Sequence, residues 1–473
     1  MENKVINISK KTFISVIIIL FSLILVAIGI TYIIPKGMFL EIPGLDGETI
    51  IDYNTFIPLE NESGINILKG IFSPILVLTS GDGLTIIMLS LFLLVISGAF
   101  QVINDTDGIK AIVKALISKF KNYRKLLVAI IILIFMVFGA FLGLFEEVLT
   151  LLPLIVILAV SLGYDSFTGF LICIVATGFG FASAITNPFT VIAASNILGV
   201  SPLSKVWFRF IVFILMYGLL LLFVFNHIRK IEKDPFKSPT YELDIQKRSS
   251  LNLDDEIKNE KRILVTYITF FITFILGIII STSLEFLRSY TVVVLIVIFL
   301  FGGFITGYIV KKDLKFVAKS FLKGVISALP AIVLVLLASS IKYILEEGKI
   351  LATIAHSISM VVEGKSLFSV AILIYLIILV LEFFISSSTA KAIFVMGILS
   401  CVNINLSKEF LVLIYLFGDG YTNVLFPTSP VLLIGLSMIG MNYLSWLKNS
   451  KWLFLFNAIL VVALICFGVL IGY

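Results

Sequence analysis

GFGFASAITNPFTV at residues 178–191 and GDGYTNVLFPTSPV at residues 418–431 each interrupt a long apolar run of this sequence. Both stretches contain prolines and small polar residues that cannot continue an α-helix. They are offset by 240 residues, and their first, third and last positions are identical. Interrupted helices at corresponding positions in two halves of a membrane protein indicate the binding site of a transporter.

The composition is that of a membrane protein. Of the 473 residues, 60% are apolar and 14% are charged, against about 25% charged in soluble domains. Apolar runs of 18 or more residues recur, each long enough to cross the hydrocarbon of a lipid bilayer. Three scattered cysteines and two histidines offer no metal-ligand spacing. We therefore predict a polytopic membrane protein with no metal and no organic cofactor, in which Na⁺ or H⁺ is the candidate coupling ion.

The segment 126–162 has two apolar arms of about 15 residues, roughly 22 Å as helices, on either side of Glu146 and Glu147. The arms either cross the membrane twice or form a re-entrant hairpin with its tip near the bilayer midplane. The loop 229–262 carries nine basic residues, and the positive-inside rule places it in the cytoplasm only with re-entry. We therefore predict a re-entrant hairpin.

The distribution of basic residues relates the two halves. Residues 106–125 carry six basic side chains, whereas the equivalent residues 346–365 carry two. Equivalent loops therefore lie on opposite sides of the membrane, which defines an inverted-topology repeat. We predict an all-α polytopic membrane protein with two inverted repeats, each containing a re-entrant helical hairpin and a broken transmembrane helix. The predicted units are an N-terminal repeat 1–228 with hairpin 126–162 and broken helix 166–200, a cytoplasmic linker 229–262, and a C-terminal repeat 263–473 with hairpin 366–404 and broken helix 408–441.

The same rule orients the chain in the cell membrane, with the N-terminus in the cytoplasm and the C-terminus outside. The basic residues sit in short loops, where they set this orientation, so no nucleic-acid partner is implied. An interfacial helix is predicted within residues 64–80, where Pro74 breaks an apolar run, and an amphipathic basic helix within residues 106–125.

Inversion brings both hairpin tips and both helix breaks to a common depth, where a substrate site is expected. Helix ends there offer unpaired carbonyls, which suit a small cation, and unpaired amides, which suit a carboxylate. Alternatively, the hydroxyls and prolines only cap and kink buried helices. The predicted substrate-binding residues are Glu146, Glu147, Asn187, Pro188, Thr190, Ser386, Ser387, Ser388, Thr389, Asp419, Asn423, Thr428 and Ser429, and the predicted ion-binding residues are Ser183, Thr186, Asn187, Asn423 and Thr428.

Charged residues inside the membrane are the strongest candidates. An acid there costs about 2.5–3.5 kcal/mol on insertion scales, so we expect such a residue to have a function. The candidates are four acids and one base: Glu146, Glu147, Glu382, Asp419 and Lys391. Pairing of Lys391 with Glu382 or Asp419 is expected. The site is then acidic, which favours a cationic substrate group, a proton or Na⁺.

These residues also carry a family resemblance. GLFEE at 143–147, NPF at 187–189 and FGDGYTN at 417–423 resemble the YfcC-type transporters, relatives of the anaerobic four-carbon-dicarboxylate carriers in the ion-transporter superfamily. The resemblance implies inverted repeats, a homodimer held by scaffold helices, and an elevator-type movement of the hairpin-bearing unit. Some members are basic amino-acid exchangers of the arginine/ornithine kind, and others are presumed dicarboxylate carriers. The sequence departs from the family pattern at Pro430, where glycine is expected.

We predict a secondary active transporter, not an enzyme, whose small-molecule substrate is a basic amino acid moved by exchange or with H⁺ or Na⁺ coupling. The rival is a Na⁺-coupled four-carbon dicarboxylate carrier, in which Lys391 would be important. A membrane-embedded hydrolase is disfavoured because His227 and His356 are expected near the membrane surfaces. A channel is disfavoured because paired hairpins indicate alternating access.

Overall fold

A computed structural model describes residues 10–43, 49–60, 62–120, 122–250, 259–284, 287, 290–362, 365–385, 387–401 and 405–473. Helices dominate these residues, which confirms the predicted helical membrane architecture. In the N-terminal half they are α1 (Lys10–Ile33), α2 (Ile67–Ile71), α3 (Ser73–Leu76), α4 (Gly83–Asp105), α5 (Gly108–Phe120), α6 (Arg124–Val137), α7 (Leu152–Ser161), α8 (Ser166–Phe170), α9 (Ala176–Ala182), α10 (Ala193–Leu198) and α11 (Val206–Lys233). Short 3₁₀ turns lie at Val77–Thr79 and Glu147–Thr150, and short π-helical turns lie at Phe138–Leu142, Leu171–Val175 and Pro188–Ile192.

The linker contains a 3₁₀ turn at Pro235–Lys237 and one helix, α12 (Tyr241–Ser250). The helices of the C-terminal half are α13 (Glu260–Ser283), α14 (Thr291–Lys311), α15 (Leu314–Glu347), α16 (Leu351–Val362), α17 (Leu367–Phe384), α18 (Ser388–Cys401), α19 (Lys408–Asp419), α20 (Pro430–Met438) and α21 (Tyr443–Leu470), with a 3₁₀ turn at Tyr421–Val424. Residues 402–404 of the predicted second hairpin lie outside the described residues.

A two-stranded hairpin is an addition to the predicted all-α fold. Strands β1 (Lys36–Pro43) and β2 (Thr49–Leu59) pair antiparallel, with an irregularity after Phe39. There the Leu40 amide donates to the Thr55 hydroxyl at 3.0 Å. β2 is rich in β-branched and aromatic residues, which favour strands. The predicted interfacial helix at 64–80 is divided into α2, α3 and a 3₁₀ turn.

Eight helical segments of the described chain are long and apolar enough to cross a membrane: Phe13–Ile33, Gly83–Asp105, Arg124–Leu142, Val206–Lys233, Val292–Lys311, Leu314–Glu347, Leu367–Phe384 and Tyr443–Leu470. In contrast, α7 has 10 residues and is about 15 Å long, half of a typical hydrocarbon thickness. The other arm of the first hairpin, Arg124–Leu142, is long enough to cross, so re-entry of this hairpin stays a prediction.

Two groups of helices have most of their contacts within the group, although α20 also contacts α15 and the turn Glu147–Thr150 also contacts α4. In one group α4 packs against α14 and α15, and α1 packs against α15. Small residues permit this close packing of α4 and α15. The Ser97 hydroxyl donates to the Gly324 carbonyl at 2.9 Å, and a Cβ on Gly324 would lie 2.2 Å from the Ser97 carbonyl oxygen. In the other group, α6 packs against α9, α7 packs against α8, and α17 packs against α19. Each hairpin therefore contacts the interrupted helix of its own half.

Candidate functional site

The first break, residues 183–187, separates α9 from the turn that begins at Pro188. It is bonded to the end of the first arm of the first hairpin. The Ile185 and Thr186 amides donate to the Ala140 carbonyl at 2.8 and 3.2 Å, and the Asn187 side chain donates to the Gly139 carbonyl at 3.0 Å. The first break and the first hairpin tip, residues 143–147, therefore lie together, as predicted.

The predicted ion ligands of the first break all donate to backbone carbonyls. The Ser183 hydroxyl donates to Phe179 at 2.7 Å, and the Thr186 hydroxyl donates to Phe141 at 3.2 Å. The buried Asn187 side chain also accepts from the Phe189 amide at 2.9 Å, so it caps the helix that follows Pro188. These contacts favour the capping role for the three side chains.

Thr190 is different. Its hydroxyl is completely buried and has no hydrogen-bond partner in the structure. It lies one turn beyond Asn187, on the side of the break where helix amides are exposed. An unpartnered buried hydroxyl costs free energy, which points to a role beyond structure.

The second break, residues 420–429, repeats this design. The Asn423 side chain donates to the Asp419 carbonyl at 2.8 Å, and Ser429 caps α20 by accepting from the Leu432 amide at 3.4 Å. Thr428 is buried beside it. Pro430 occupies the first turn of α20, where proline is favourable because its missing amide would have no helical partner. The departure from the family pattern at this residue therefore starts a helix.

The second hairpin tip, at the end of α17 and the start of α18, contacts both broken helices. The Ser388 hydroxyl donates to Asp419 Oδ2 at 2.9 Å, and the Thr389 hydroxyl donates to the Phe189 carbonyl of the other half at 3.3 Å. Ser387 is exposed. The predicted residue Ser386 lies outside the described residues.

Lys391 forms a buried ion cluster at this tip. Its ammonium lies 2.7 Å from Asp419 Oδ1 and also contacts the Glu382 carboxylate. It donates to the Ile385 carbonyl at 3.2 Å. The side chains of Lys391 and Asp419 have no exposed surface, and Glu382 is 3% exposed. The base therefore pairs with both acids that were considered as its partners.

The adjacent acids of the first tip have different environments. Glu147 is buried, and its Oε2 accepts from the Phe145 amide at 3.2 Å, so it serves the local turn. Glu146 is exposed, unlike its neighbour.

Glycines allow the two broken helices to cross in contact. A Cβ on Gly420 would lie 2.0 Å from the Ala182 nitrogen, and a Cβ on Gly178 would lie 2.8 Å from Val424 Cγ1. The crossing unites the tips and the breaks in one region. Tyr415 was missed by the sequence prediction, although it lies one turn before Asp419. Its hydroxyl donates to the Ser388 carbonyl and lies 3.2 Å from Asp419 Oδ1. The i, i+4 spacing was the available signal.

The linker forms a second polar cluster around Asp165 and Ser166, at the start of α8. Asp165 is buried, caps α8 and accepts from His227 at 2.9 Å and from Ser238 at 2.7 Å. Burial alone would raise the pKa of the Asp165 carboxyl, but these bonds and the His227 charge outweigh it and hold the pKa below its ordinary value. Asp244 of α12 accepts from the Ser166 amide at 2.9 Å. The linker is thereby attached to the first broken helix.

Long apolar helices, two hairpins, two interrupted helices and an enclosed ion cluster together define a multi-pass membrane transporter. The chain matches the family model described as C4-dicarboxylate anaerobic carrier, DcuC, over residues 13–470. It therefore belongs to that family of carriers, and it is not an enzyme.

Two curated relatives match along nearly the whole chain. One, from Escherichia coli K12, is named putative basic amino acid antiporter YfcC and is 27% identical over 494 residues, with 95% of each chain covered. The other, an uncharacterised protein of Haemophilus influenzae, is 26% identical over 488 residues, with 93% of this chain and 94% of the relative covered.

Two solved transporter structures are also similar. The YdaH transporter of Alcanivorax borkumensis has a TM-score of 0.45 and 15% identity, covering 95% of this chain and 98% of its own. The MtrF antimetabolite efflux pump of Neisseria gonorrhoeae has a TM-score of 0.45 and 17% identity, covering 95% of this chain and 94% of its own.

Proposed function

We propose that the protein is a secondary active transporter of a small amino acid with a cationic side chain, of the arginine or ornithine type. The observation that carries this proposal is the enclosure of Lys391. Its ammonium is directed to Asp419, Glu382 and the Ile385 carbonyl and has no exposed surface. It cannot act as the counter-ion of an anionic substrate while these contacts persist, whereas Glu146 is accessible to a cationic one.

The substrate's carboxylate has a separate place in this proposal. The helix beyond Pro188 begins at the first break, and amides at a helix N-terminus bind anions. The Thr190 hydroxyl lies in the same turn and has no partner, but it is completely buried, so it can donate to a carboxylate oxygen only in a conformation that opens the first break. A substrate that places its ammonium groups toward Glu146 and its carboxylate toward Thr190 would use both signs of charge in the region.

The proposed mechanism is exchange by alternating access in the cell membrane, with an elevator-type movement in a homodimer. Its support is the separation of the fold into two packed groups: the hairpins with their broken helices, and α4, α14 and α15 with α1. The relative from Escherichia coli, named as a basic amino acid antiporter, supports exchange of a cationic substrate. The proposed orientation keeps the N-terminus and the basic linker in the cytoplasm.

A Na⁺-coupled carrier of four-carbon dicarboxylates is the second candidate, and the family description favours it. A dianionic substrate requires a free cation or several helix N-termini at the site. The described tips and breaks contain one base, Lys391, and its ammonium is enclosed between two acids. This candidate therefore requires the ion cluster to open for each substrate.

The test is counterflow of radiolabelled arginine into proteoliposomes loaded with arginine or ornithine. We expect saturable exchange that succinate does not inhibit. Glu146→Gln should reduce exchange at least about tenfold, since a lost charge-assisted hydrogen bond is worth about 1.5–3 kcal/mol. Glu232→Gln is the matched control, because Glu232 is an exposed acid that pairs with Lys125 away from the tips. Succinate exchange without flux of any cationic amino acid would exclude the proposal.

A further inference from the structure

The ion cluster of the second hairpin has no counterpart in the first. The equivalent positions, 240 residues earlier, hold only apolar side chains: Leu142 for Glu382, Leu151 for Lys391 and Phe179 for Asp419. Three ionisable residues thus occur together in one half and are absent together from the other. Coupled differences of this kind indicate that the three side chains form one unit.

Three oxygen-bearing groups from two segments, the end of α17 and the end of α19, surround the Lys391 ammonium. Glu382 supplies a carboxylate from α17, Ile385 supplies a backbone carbonyl at 3.2 Å from the end of the same helix, and Asp419 Oδ1 lies at 2.7 Å on α19. Carboxylate and carbonyl oxygens at the ends of interrupted helices are the ligands that membrane carriers use for Na⁺. The ammonium lies where a small monovalent cation would be bound.

A second set of contacts fixes the Asp419 carboxylate in this position. The Ser388 hydroxyl donates to Oδ2 at 2.9 Å, and the Tyr415 hydroxyl, which donates to the Ser388 carbonyl, lies 3.2 Å from Oδ1. The second tip therefore holds Asp419 through Oδ2, and Tyr415 of α19 lies against Oδ1. These contacts to Asp419 do not involve Lys391.

We propose that Lys391 is a tethered cation that fills, from within the chain, a monovalent-cation site between the second hairpin and the second broken helix. Because the ammonium is covalently attached to α18, it cannot dissociate into solution. The site therefore carries no Na⁺ across the membrane, and the second tip remains closed without an external cation. The proposal concerns the cation at this tip and goes beyond the identity of the substrate.

Removal of the ammonium should turn the cluster into a Na⁺ site. Lys391→Ala leaves two buried carboxylates and a vacated volume between them, and like charges in an enclosed place favour uptake of a cation. In purified protein without substrate, we expect NaCl to raise the melting temperature of this variant by roughly 2 °C or more beyond its effect on the parent protein, relative to choline chloride of equal concentration.

Lys342→Ala is the matched control. Lys342 also bridges two acids, Asp82 and Glu346, but these acids are 41% and 42% exposed. Water already solvates them, so this variant should show the same response to Na⁺ as the parent protein. The triple variant Glu382→Gln/Lys391→Met/Asp419→Asn, which lacks the charges of the site, should also show the parent response.

An equal Na⁺ response of Lys391→Ala and the parent protein would overturn the proposal. If Lys391→Ala does not yield folded protein, the double variant Glu382→Gln/Lys391→Ala retains Asp419 with less charge imbalance and gives the same test with the same overturning result. The assay contains no transported substrate, so its failure leaves the proposed amino-acid specificity untouched. A failure of arginine counterflow equally leaves the cation site untouched.

Discussion

Replacing Gly420 by alanine tests the crossing of the two broken helices directly. Gly420 has a φ of −69°, which alanine adopts freely, so the backbone conformation itself presents no obstacle. The obstacle is space. The new Cβ would lie 2.0 Å from the nitrogen and 2.1 Å from the Cα of Ala182, both backbone atoms of the other half.

The size of the effect follows from these distances. Ordinary contacts begin at 3.4 Å, so one backbone must move by about 1.4 Å, and neither contact can be relieved by rotating a side chain. Overpacking of this kind costs about 1–3 kcal/mol, and the upper end is expected here. For a chain of 473 residues we expect the melting temperature to fall by roughly 3 °C.

Thermal unfolding of the purified protein in detergent is the appropriate assay, with Gly218→Ala as its control. Gly218 lies inside α11, and a Cβ there would meet no atom within 4 Å. Alanine is favoured over glycine in a helix interior by about 0.5–1 kcal/mol, so this variant should melt at or slightly above the parent temperature. If Gly420→Ala melts within about 1 °C of the parent protein, the two breaks are not in contact and the assembled site is wrong.

Two further changes test the linker and the first break. Because the pKa of Asp165 is depressed, its contribution to stability is complete above about pH 4 and is lost as the pH falls through the folded-state pKa. Asp165→Asn should abolish that part of the acid destabilisation, measured as the melting temperature from pH 7 to pH 3. A pH profile equal to that of the parent protein would contradict this role. Thr190→Val should leave stability equal or higher, because it removes an unpartnered buried hydroxyl, while reducing arginine exchange. The control variant is Thr177→Val, which removes a hydroxyl that donates to the Cys173 carbonyl at 2.9 Å. Full arginine exchange by Thr190→Val would show that Thr190 has only a packing role.

The sequence was informative where physical constraints are local or repeated. Proline and small polar residues inside apolar runs located both breaks, because a helix cannot continue through them. The registry of 240 residues paired the two halves, and the cost of intramembrane charge singled out Lys391 and its two acids. The sequence alone shows that Pro430 departs from the family pattern. That this proline begins the first turn of α20 is known only from the structure.

Other features depend on contacts between separate segments. β2 has the composition of a strand, but its pairing with β1 depends on contacts between the two segments. The attachment of α12 depends on Asp244 meeting Ser166, which is 78 residues earlier. Likewise, nothing in the pair Glu146–Glu147 reveals which acid faces the local turn, since that choice is set by how the tip packs.

The attachment of α12 has a mechanical consequence. α12 is bonded to the start of the first broken helix, whereas α13, the next helix along the chain, packs against α5 and α14. Residues 250 and 259 are joined by nine peptide units, which extend at most about 30 Å. In the proposed elevator-type movement, this covalent path would limit how far α12 can move from α13, and each residue deleted between residues 250 and 259 would lower that limit by about 3.5 Å.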